Sequence, residues 1–257
     1  MHYIDYYIEN RIGYITLNRP EKRNALNYQV ISELKEAFDL AESDDDCKVI
    51  VLRANGDVFC AGADLGYMQA LQENTFEENL NDSTHLAHLF YQIYTLRKMV
   101  IAQVQGPAIA GGCGLATVCD IIFASPAATF GYTEVKIGFI PAIVSVFLLR
   151  KIGETHTKQL LLSGDLLSAA EAKEIGLLTY LVPEPELDDK VYAFASRICQ
   201  QNSLQSIELT KDLIAHLQDM DLQRGLSYAA ERNAYARETL DYRRGIASFL
   251  NKEKISW

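Results

Sequence analysis

Apolar and polar residues alternate over Tyr3 to Ile8 and again over Gly13 to Leu17, with Glu9 and Asn10 between them, which predicts two paired strands. The chain then turns at Asn18, Arg19 and Pro20. From Asn27 the period changes: Val30, Ile31, Leu34, Ala37, Phe38 and Ala41 recur at helical spacing, with Asn27 placed as the N-cap and the acidic run Ser43 to Asp46 as the stop. Val49 to Leu52 is a short β-branched run of the kind buried on both faces, and it delivers the chain to the glycine-bearing loop Asn55 to Asp64. A polar, mobile stretch over Gln72 to Asn79 is expected before a helix over Leu80 to Leu96. Val100 to Val104 reads as the next strand, followed by a glycine turn, a helix from Gly112 to Val118, and strands over Ile121 to Ala124 and Thr129 to Tyr132. Helices are predicted over Ser145 to Ile152 and Thr155 to Leu162, parted by Gly153. Ser168 and Glu171 make a capping box for a further helix ending at Gly176, and Leu178 to Val182 is the last strand. Beyond Pro183 and Pro185 the period is helical throughout, over Leu187 to Gln200, Leu204 to Leu217, Leu222 to Thr239 and Asp241 to Lys252. Strands alternating with helices favour a largely parallel α/β core over residues 1–185. The helical region over residues 186–257 carries apolar stripes broad enough to pack on the core or on another subunit.

Composition narrows the partners. A formal net charge of -10 over 257 residues argues against nucleic acid or an anionic membrane as the main partner, since both demand a concentrated basic surface. The cysteines Cys47, Cys60, Cys113, Cys119 and Cys199 form no CxxC pair and most sit in apolar surroundings, the pattern of reduced, buried thiols. Met1 to Asn10 has neither the basic nor the apolar part of a secretory leader. The apolar, uncharged run Ile137 to Leu149 contains Pro141 and falls well short of the ~20 residues that a spanning helix needs. The expected location is cytoplasmic.

The candidate chemistry is concentrated between Pro107 and Pro141. Adjacent Gly111 and Gly112 at the start of a helix present backbone N–H groups with no side chain to block close approach, a setting for an anion or for a carbonyl oxygen becoming one. A second glycine turn, Cys60 to Leu65, lies well upstream. Glu134 stands among Val135, Ile137 and Phe139, where a hydrophobic setting raises a carboxyl pKa towards the range useful for moving protons at neutral pH. Other residues carry less. His85 and His88 share a helix face but lack a third ligand, so they read as surface residues, and Asp120 reads as a turn or capping carboxylate. Lys22, Arg23, Lys252 and Lys254 read first as solvated charges.

Five segments, ITLNRPEKRNALN (Ile15 to Asn27), FCAGADL (Phe59 to Leu65), AIAGGCGLATVCDI (Ala108 to Ile121), FGYTEVKIGFIP (Phe130 to Pro141) and SGDLLSAAEAKEIGLLTYLVP (Ser163 to Pro183), together resemble the enoyl-CoA hydratase/isomerase family, also called the crotonase superfamily. The resemblance covers nearly the whole chain. It implies an α/β fold, a crotonase-like spiral of ββα units followed by a C-terminal helical trimerisation region. It also implies an acyl-CoA substrate with no further cofactor and no metal, and a homotrimer or dimer of trimers. Carried over by motif, the backbone N–H groups of Ala63 and Gly111 form an oxyanion hole for the thioester carbonyl, and Ala61, Gly62, Asp64, Leu65, Gly112 and Gly114 line the substrate. Tyr132 and Ser145 are supporting candidates near the acid/base Glu134, and Arg23 is the candidate for a CoA phosphate.

Hydratases of this family use two glutamates, and here the first position is Gly114 and the second is Glu134. Residues three apart on a helix share a face, so position 114 is expected to look into the same space as the Gly111 amide and to leave room there for a branched or carboxylated acyl group. The segments GGCGLA, TEVKIGFIPAIVS and LRKIG look most like bacterial methylglutaconyl-CoA hydratases. The first expectation is therefore reversible addition of water to a 2-enoyl-CoA, 3-methylglutaconyl-CoA in particular. The alternatives are a double-bond isomerase using Glu134 alone, or a catalytically weak acyl-CoA-binding subunit.

Overall fold

β1 (Ile4–Glu9) and β2 (Ile12–Leu17) pair antiparallel, Ile4 opposite Leu17, as the alternation predicts. The computed structural model describes all 257 residues. α1 (Tyr28–Ser43) starts where Asn27 accepts the Val30 N–H, and its buried face is the one read from the spacing. β3 (Val49–Ala54) leads through the first glycine loop to α2 (Leu65–Leu71) and α3 (Phe76–Thr95). β4 (Met99–Val104), β5 (Ala108–Ile109), α4 (Gly111–Thr117), β6 (Ile121–Ala124) and β7 (Thr129–Gly131) follow in quick succession. α5 (Ala142–Ser163), β8 (Leu166–Ser168), α6 (Ala169–Glu174) and β9 (Tyr180–Leu181) complete the α/β part. The remainder is α7 (Leu187–Gln201), α8 (Leu204–Leu217), α9 (Leu222–Glu238) and α10 (Leu240–Asn251).

The main sheet has the order β1-β2-β3-β4-β6-β9, parallel except for the first hairpin, and β5-β7-β8 form a second, smaller sheet. The central strands β2, β3 and β4 are buried on both faces, and successive residues serve different cores. Ile50 and Leu52 join Phe38, Phe90 and Leu115 in the larger apolar cluster, while Val49 and Val51 join Ile12, Ile101 and residues of α7 in the smaller one. Fully burying a side chain such as Phe38 contributes about 1.5–3 kcal/mol, which makes these two clusters the main stabilising term.

α7 supplies Leu187, Val191, Ala195 and Ile198 to the outer face of the sheet. The break drawn at residues 185 and 186 therefore separates the sheet from a helix that covers it, and Ile207 of α8 packs against the same cluster. Other departures have local causes. α2 buries none of its residues, so it leaves no apolar period in the sequence. α3 begins at Phe76, inside the stretch expected to be mobile, because Thr75 and Glu78 form a reciprocal capping box there. Its early turns keep Phe76 and Leu80 exposed, which is why periodicity finds only the later part. α5 is one helix in outline but breaks at Gly153 (φ 73, ψ 175), matching the two halves expected. No helix is long and apolar enough to cross a membrane.

Candidate active site

Cys60 to Asp64 runs between two other segments, bridged to them at Cys60 and Ala63. On one side Ala61 N–H donates to the Arg23 carbonyl (3.0 Å), Leu26 N–H to the Gly62 carbonyl (2.7 Å) and Asp64 N–H to the Leu26 carbonyl (2.8 Å). On the other, Cys60 N–H donates to the Pro107 carbonyl (3.2 Å) and Ile109 N–H to the Cys60 carbonyl (2.9 Å). Successive residues of an extended chain face opposite ways, so with Asp64 N–H committed to Leu26, Ala63 N–H turns away from it. No protein acceptor takes it. Gly111 opens α4, its N–H has no carbonyl within the helix, and no other protein group accepts it.

The two free donors belong to loops in contact. A Cβ built on Gly62, where φ is 88, would lie 2.9 Å from the Ala110 Cβ and 3.6 Å from the Gly111 nitrogen. A Cβ on Gly112 would lie 2.2 Å from the Cys60 carbonyl oxygen. Both glycines let backbone meet backbone. Ala110, just before the donor, is held at φ 51, ψ -124, a strained geometry for alanine that costs on the order of 1–3 kcal/mol. Its N–H is tied to the Gly131 carbonyl (2.7 Å) and its own carbonyl accepts the Gly114 N–H (3.0 Å), so the turn that aims Gly111 is fixed from both ends. An alanine leaves no turn signal in the sequence, and Ala110 was not among the expected site residues.

Pairing of β7 with β5 sets Gly131 opposite Ile109. Three residues on, Glu134 begins a 3₁₀ turn, Glu134–Ile137, closed by Gly138 in the left-handed region (φ 76). The small sheet thus carries the carboxylate to the Gly111 turn. Glu134 Oε2 is buried and has no hydrogen-bond partner. Burial raises the carboxyl pKa above its ordinary value, and only its own backbone N–H opposes that shift. Glu134 also lies close enough to α4 to bear on Cys113, whose thiol is pushed up to about 11 by burial first, with Glu134 among the smaller contributors.

Position 114 differs from the expectation. A Cβ on Gly114 would meet Val144 Cγ1 at 2.4 Å and Phe90 Cε2 at 2.9 Å, so the space beside it is filled by side chains of α5 and α3. It offers no room to an acyl group. Tyr132 is likewise fully buried, with its hydroxyl 2.8 Å from Thr117 Oγ1 beneath α4, and it supports the helix instead of meeting substrate. Gly112 is buried against Cys60. Ser145 spends its hydroxyl on the Ala142 carbonyl (2.6 Å) in the first turn of α5. Ala61 is half-buried at the rim, and Arg23 is exposed beside it with its carbonyl holding Ala61, where its guanidinium is free.

Asp64 is a positioning residue. Its carboxylate accepts the Gly66 and Tyr67 N–H groups as the N-cap of α2 and pairs with Arg19 at 2.8 Å. Burial alone would raise its pKa, but the Arg19 and amide hydrogen bonds outweigh burial and hold it below the usual carboxylate range. Its stabilising contribution is therefore present above the unfolded-state pKa and lost as pH falls through the folded value. Asp64→Ala is expected to lower stability by about 1–2 kcal/mol, read as a lower Tm, and to lower kcat/KM because the chain next to Ala63 loses its anchor.

Asp120 and the histidines play no part at this point. Asp120 accepts the Val100 N–H (2.7 Å) and pairs with Lys211 (2.8 Å), tying α8 to the sheet. His85 stacks on Tyr28 with centroids 4.2 Å apart and its Nε2 lies 3.0 Å from Ser32 Oγ.

A cavity of about 580 Å³ opens beside the segments that follow Ala63 and Glu134. Leu65, two residues beyond Ala63, forms one wall, and Ile137, Gly138 and Phe139, on the turn that begins at Glu134, form another. Two unsatisfied N–H groups beside a carboxyl with a buried, unpartnered oxygen can together stabilise negative charge on a carbonyl oxygen and exchange a proton next to it.

The family model described as enoyl-CoA hydratase/isomerase matches residues 7–257. A Thermus thermophilus protein provisionally named an enoyl-CoA hydratase is 41% identical over 244 residues, 95% of this chain and 96% of that one. The crotonyl-CoA hydratase of Syntrophomonas wolfei is 33% identical over 97% of this chain and 95% of its own length. The crystal structure of an enoyl-CoA hydratase from Shewanella pealeana superposes with a TM-score of 0.94 at 30% identity, covering 100% of this chain and 96% of that one.

Proposed function

The chain belongs to the enoyl-CoA hydratase/isomerase family, and from that premise we propose that it adds water reversibly to the double bond of a 2-enoyl-CoA thioester. The observation that carries this reading is the pair of unpartnered N–H groups, Ala63 and Gly111, on touching loops beside the buried Glu134 carboxylate. The thioester carbonyl is placed to accept both N–H groups. As water attacks the β-carbon, the double-bond electrons move towards the carbonyl and its oxygen becomes an enolate oxyanion, where each backbone donor is worth about 3–4 kcal/mol of barrier. Ionised Glu134 accepts the proton that the attacking water loses. It then delivers a proton to the α-carbon as the enolate collapses, and the carboxylate is restored.

Glu134 does both proton transfers in this scheme because position 114 supplies no acid and Phe90 and Val144 keep that side apolar. The same lone carboxylate favours a second reading, transfer of a proton between two carbons of a 3-enoyl-CoA with no water added. One assay separates them: crotonyl-CoA is expected to lose its conjugated-enoyl absorbance, whereas gain of that absorbance from a 3-enoyl-CoA, with crotonyl-CoA untouched, favours isomerisation. No change with either substrate counts for an acyl-CoA-binding subunit without turnover.

Two further points extend the reading. The 3-methylglutaconyl group follows from the sequence resemblance, while the site itself supports the wider class of 2-enoyl-CoA thioesters. Exposed Leu222, Leu226, Leu240 and Phe249 on α9 and α10 form an apolar surface suited to a second copy of the chain, which supports a homotrimer or dimer of trimers. Light scattering on the purified protein tests this, and a monomeric mass counts against it.

A further inference from the structure

Resting on the hydratase reading, we infer that the acyl group taken by this site is uncharged, and that thioesters whose acyl chain ends in a carboxylate are rejected by Asp82. The cavity beyond the oxyanion hole is walled by Leu65, Met68 and Phe139, and Asp82 of α3 is the only charged side chain in its lining. No lysine or arginine lines it.

Asp82 is held in place across the cavity wall. The Tyr67 hydroxyl of α2 donates to Asp82 Oδ1, and burial first, then Asp82 itself, pushes the Tyr67 pKa up, so the phenol remains a donor. Tyr67 therefore fixes the carboxylate and leaves its charge in place.

No cation pairs with Asp82, and those nearby, Lys35 included, lie outside the cavity lining. Arg19 is paired with Asp64 at 2.8 Å, and Lys136 lies 3.8 Å from Asp165. His85, one turn along α3, has its pKa lowered by burial first and by Lys35 second, which disfavours its charged form. An incoming carboxylate would lose water, find no cation and face a like charge. An apolar chain meets Leu65, Met68, Ile137 and Phe139 instead. The expectation of a carboxylated group loses its support in supposed room at Gly114, because that room is filled, and the cavity lined by Asp82 carries the wrong sign of charge for it.

Trans-2-hexenoyl-CoA and 2,3-dehydroadipyl-CoA test this directly, because they share chain length and differ at the far end. For the full-length protein, kcat/KM from loss of enoyl absorbance is expected to favour hexenoyl-CoA on the order of 100-fold, the effect of two like charges a few ångströms apart at a near-surface dielectric. Asp82→Asn keeps an acceptor for Tyr67 and removes the charge, and it should shift the ratio towards dehydroadipyl-CoA by at least about tenfold. Gln72→Arg, at an exposed lining position that hydrogen-bonds neither Tyr67 nor Asp82, should shift the ratio the same way and serves if Asp82→Asn does not fold. Equal turnover of the two thioesters by the unaltered protein, or an unchanged ratio in the folded variants, overturns the inference. Hydration of neither thioester overturns the hydratase reading and the inference with it.

Discussion

Glu134→Gln is expected to lower kcat/KM for enoyl-CoA hydration on the order of 1,000-fold while leaving the fold intact, because in the proposed scheme it removes the one group that carries a proton between water and the α-carbon. Glutamine fills the same volume and cannot exchange a proton. The structural cost is small, since Glu134 Oε2 makes no hydrogen bond that the substitution would break. Stability should shift the other way. A carboxyl whose folded-state pKa is raised favours the folded state below its unfolded-state pKa, and that advantage is lost as pH rises through the folded value. Above that folded-state value the charged, half-buried Glu134 works against folding, and there Glu134→Gln should melt at the same temperature as the unaltered protein or higher. A lower Tm together with lost activity would mean that Glu134 is structural. An unchanged kcat/KM would remove it from the chemistry.

Gly112→Ala should cost turnover as severely by a different route. Its new methyl would meet the Cys60 carbonyl oxygen at 2.2 Å and the Cys60 Cβ at 2.7 Å, and that backbone cannot step aside cheaply because it is bonded to Pro107 and Ile109. The loops must separate, which moves Ala63 N–H away from Gly111 N–H. Losing one donor is expected to lower kcat about 100- to 1,000-fold, with about 1–3 kcal/mol of stability lost to the forced packing. Gly114→Ala is the matched control on the same helix. Its methyl meets Val144 and Phe90 side chains instead of the oxyanion loop, so it should lose stability yet keep most of its turnover. Circular dichroism melts and kcat for the two variants, measured side by side, separate general overpacking of α4 from displacement of the donor. Equal kcat losses in both would contradict the assignment.

The parts of this architecture visible in the sequence are those that bury a regular face. α1 shows itself through Val30, Leu34, Ala37, Phe38 and Ala41, and β3 through its unbroken β-branched run, because burial imposes a period on the residues themselves. α2 and the first turns of α3 are exposed, so caps and not periodicity define them, and Asp64 and Thr75 mark their starts. β5 and β8 are too short to leave a pattern. They exist because loops pair, Ala108 with Phe130 and Leu166 with Gly131.

The site divides in the same way. Its glycines and Glu134 are legible because the chemistry needs those residue types. Three determinants depend on packing between distant segments and have no local signature: the strained Ala110, the filling of position 114 by Phe90 and Val144, and the Tyr67–Asp82 pair. The glycine at 114 illustrates the limit, since absence of a side chain in sequence reads as space, whereas neighbours from α3 and α5 occupy it.

A single carboxylate serving both proton transfers has a kinetic signature, and the dependence of kcat/KM on pH for crotonyl-CoA hydration reads it most directly. With Glu134 required in its ionised form, the profile should rise once with pH, along an acidic limb whose midpoint lies above the ordinary glutamate value because burial raises the Glu134 pKa. The residual rate of Glu134→Gln should lack that limb. A bell-shaped profile, or the same limb persisting in Glu134→Gln, would contradict the assignment of both transfers to Glu134.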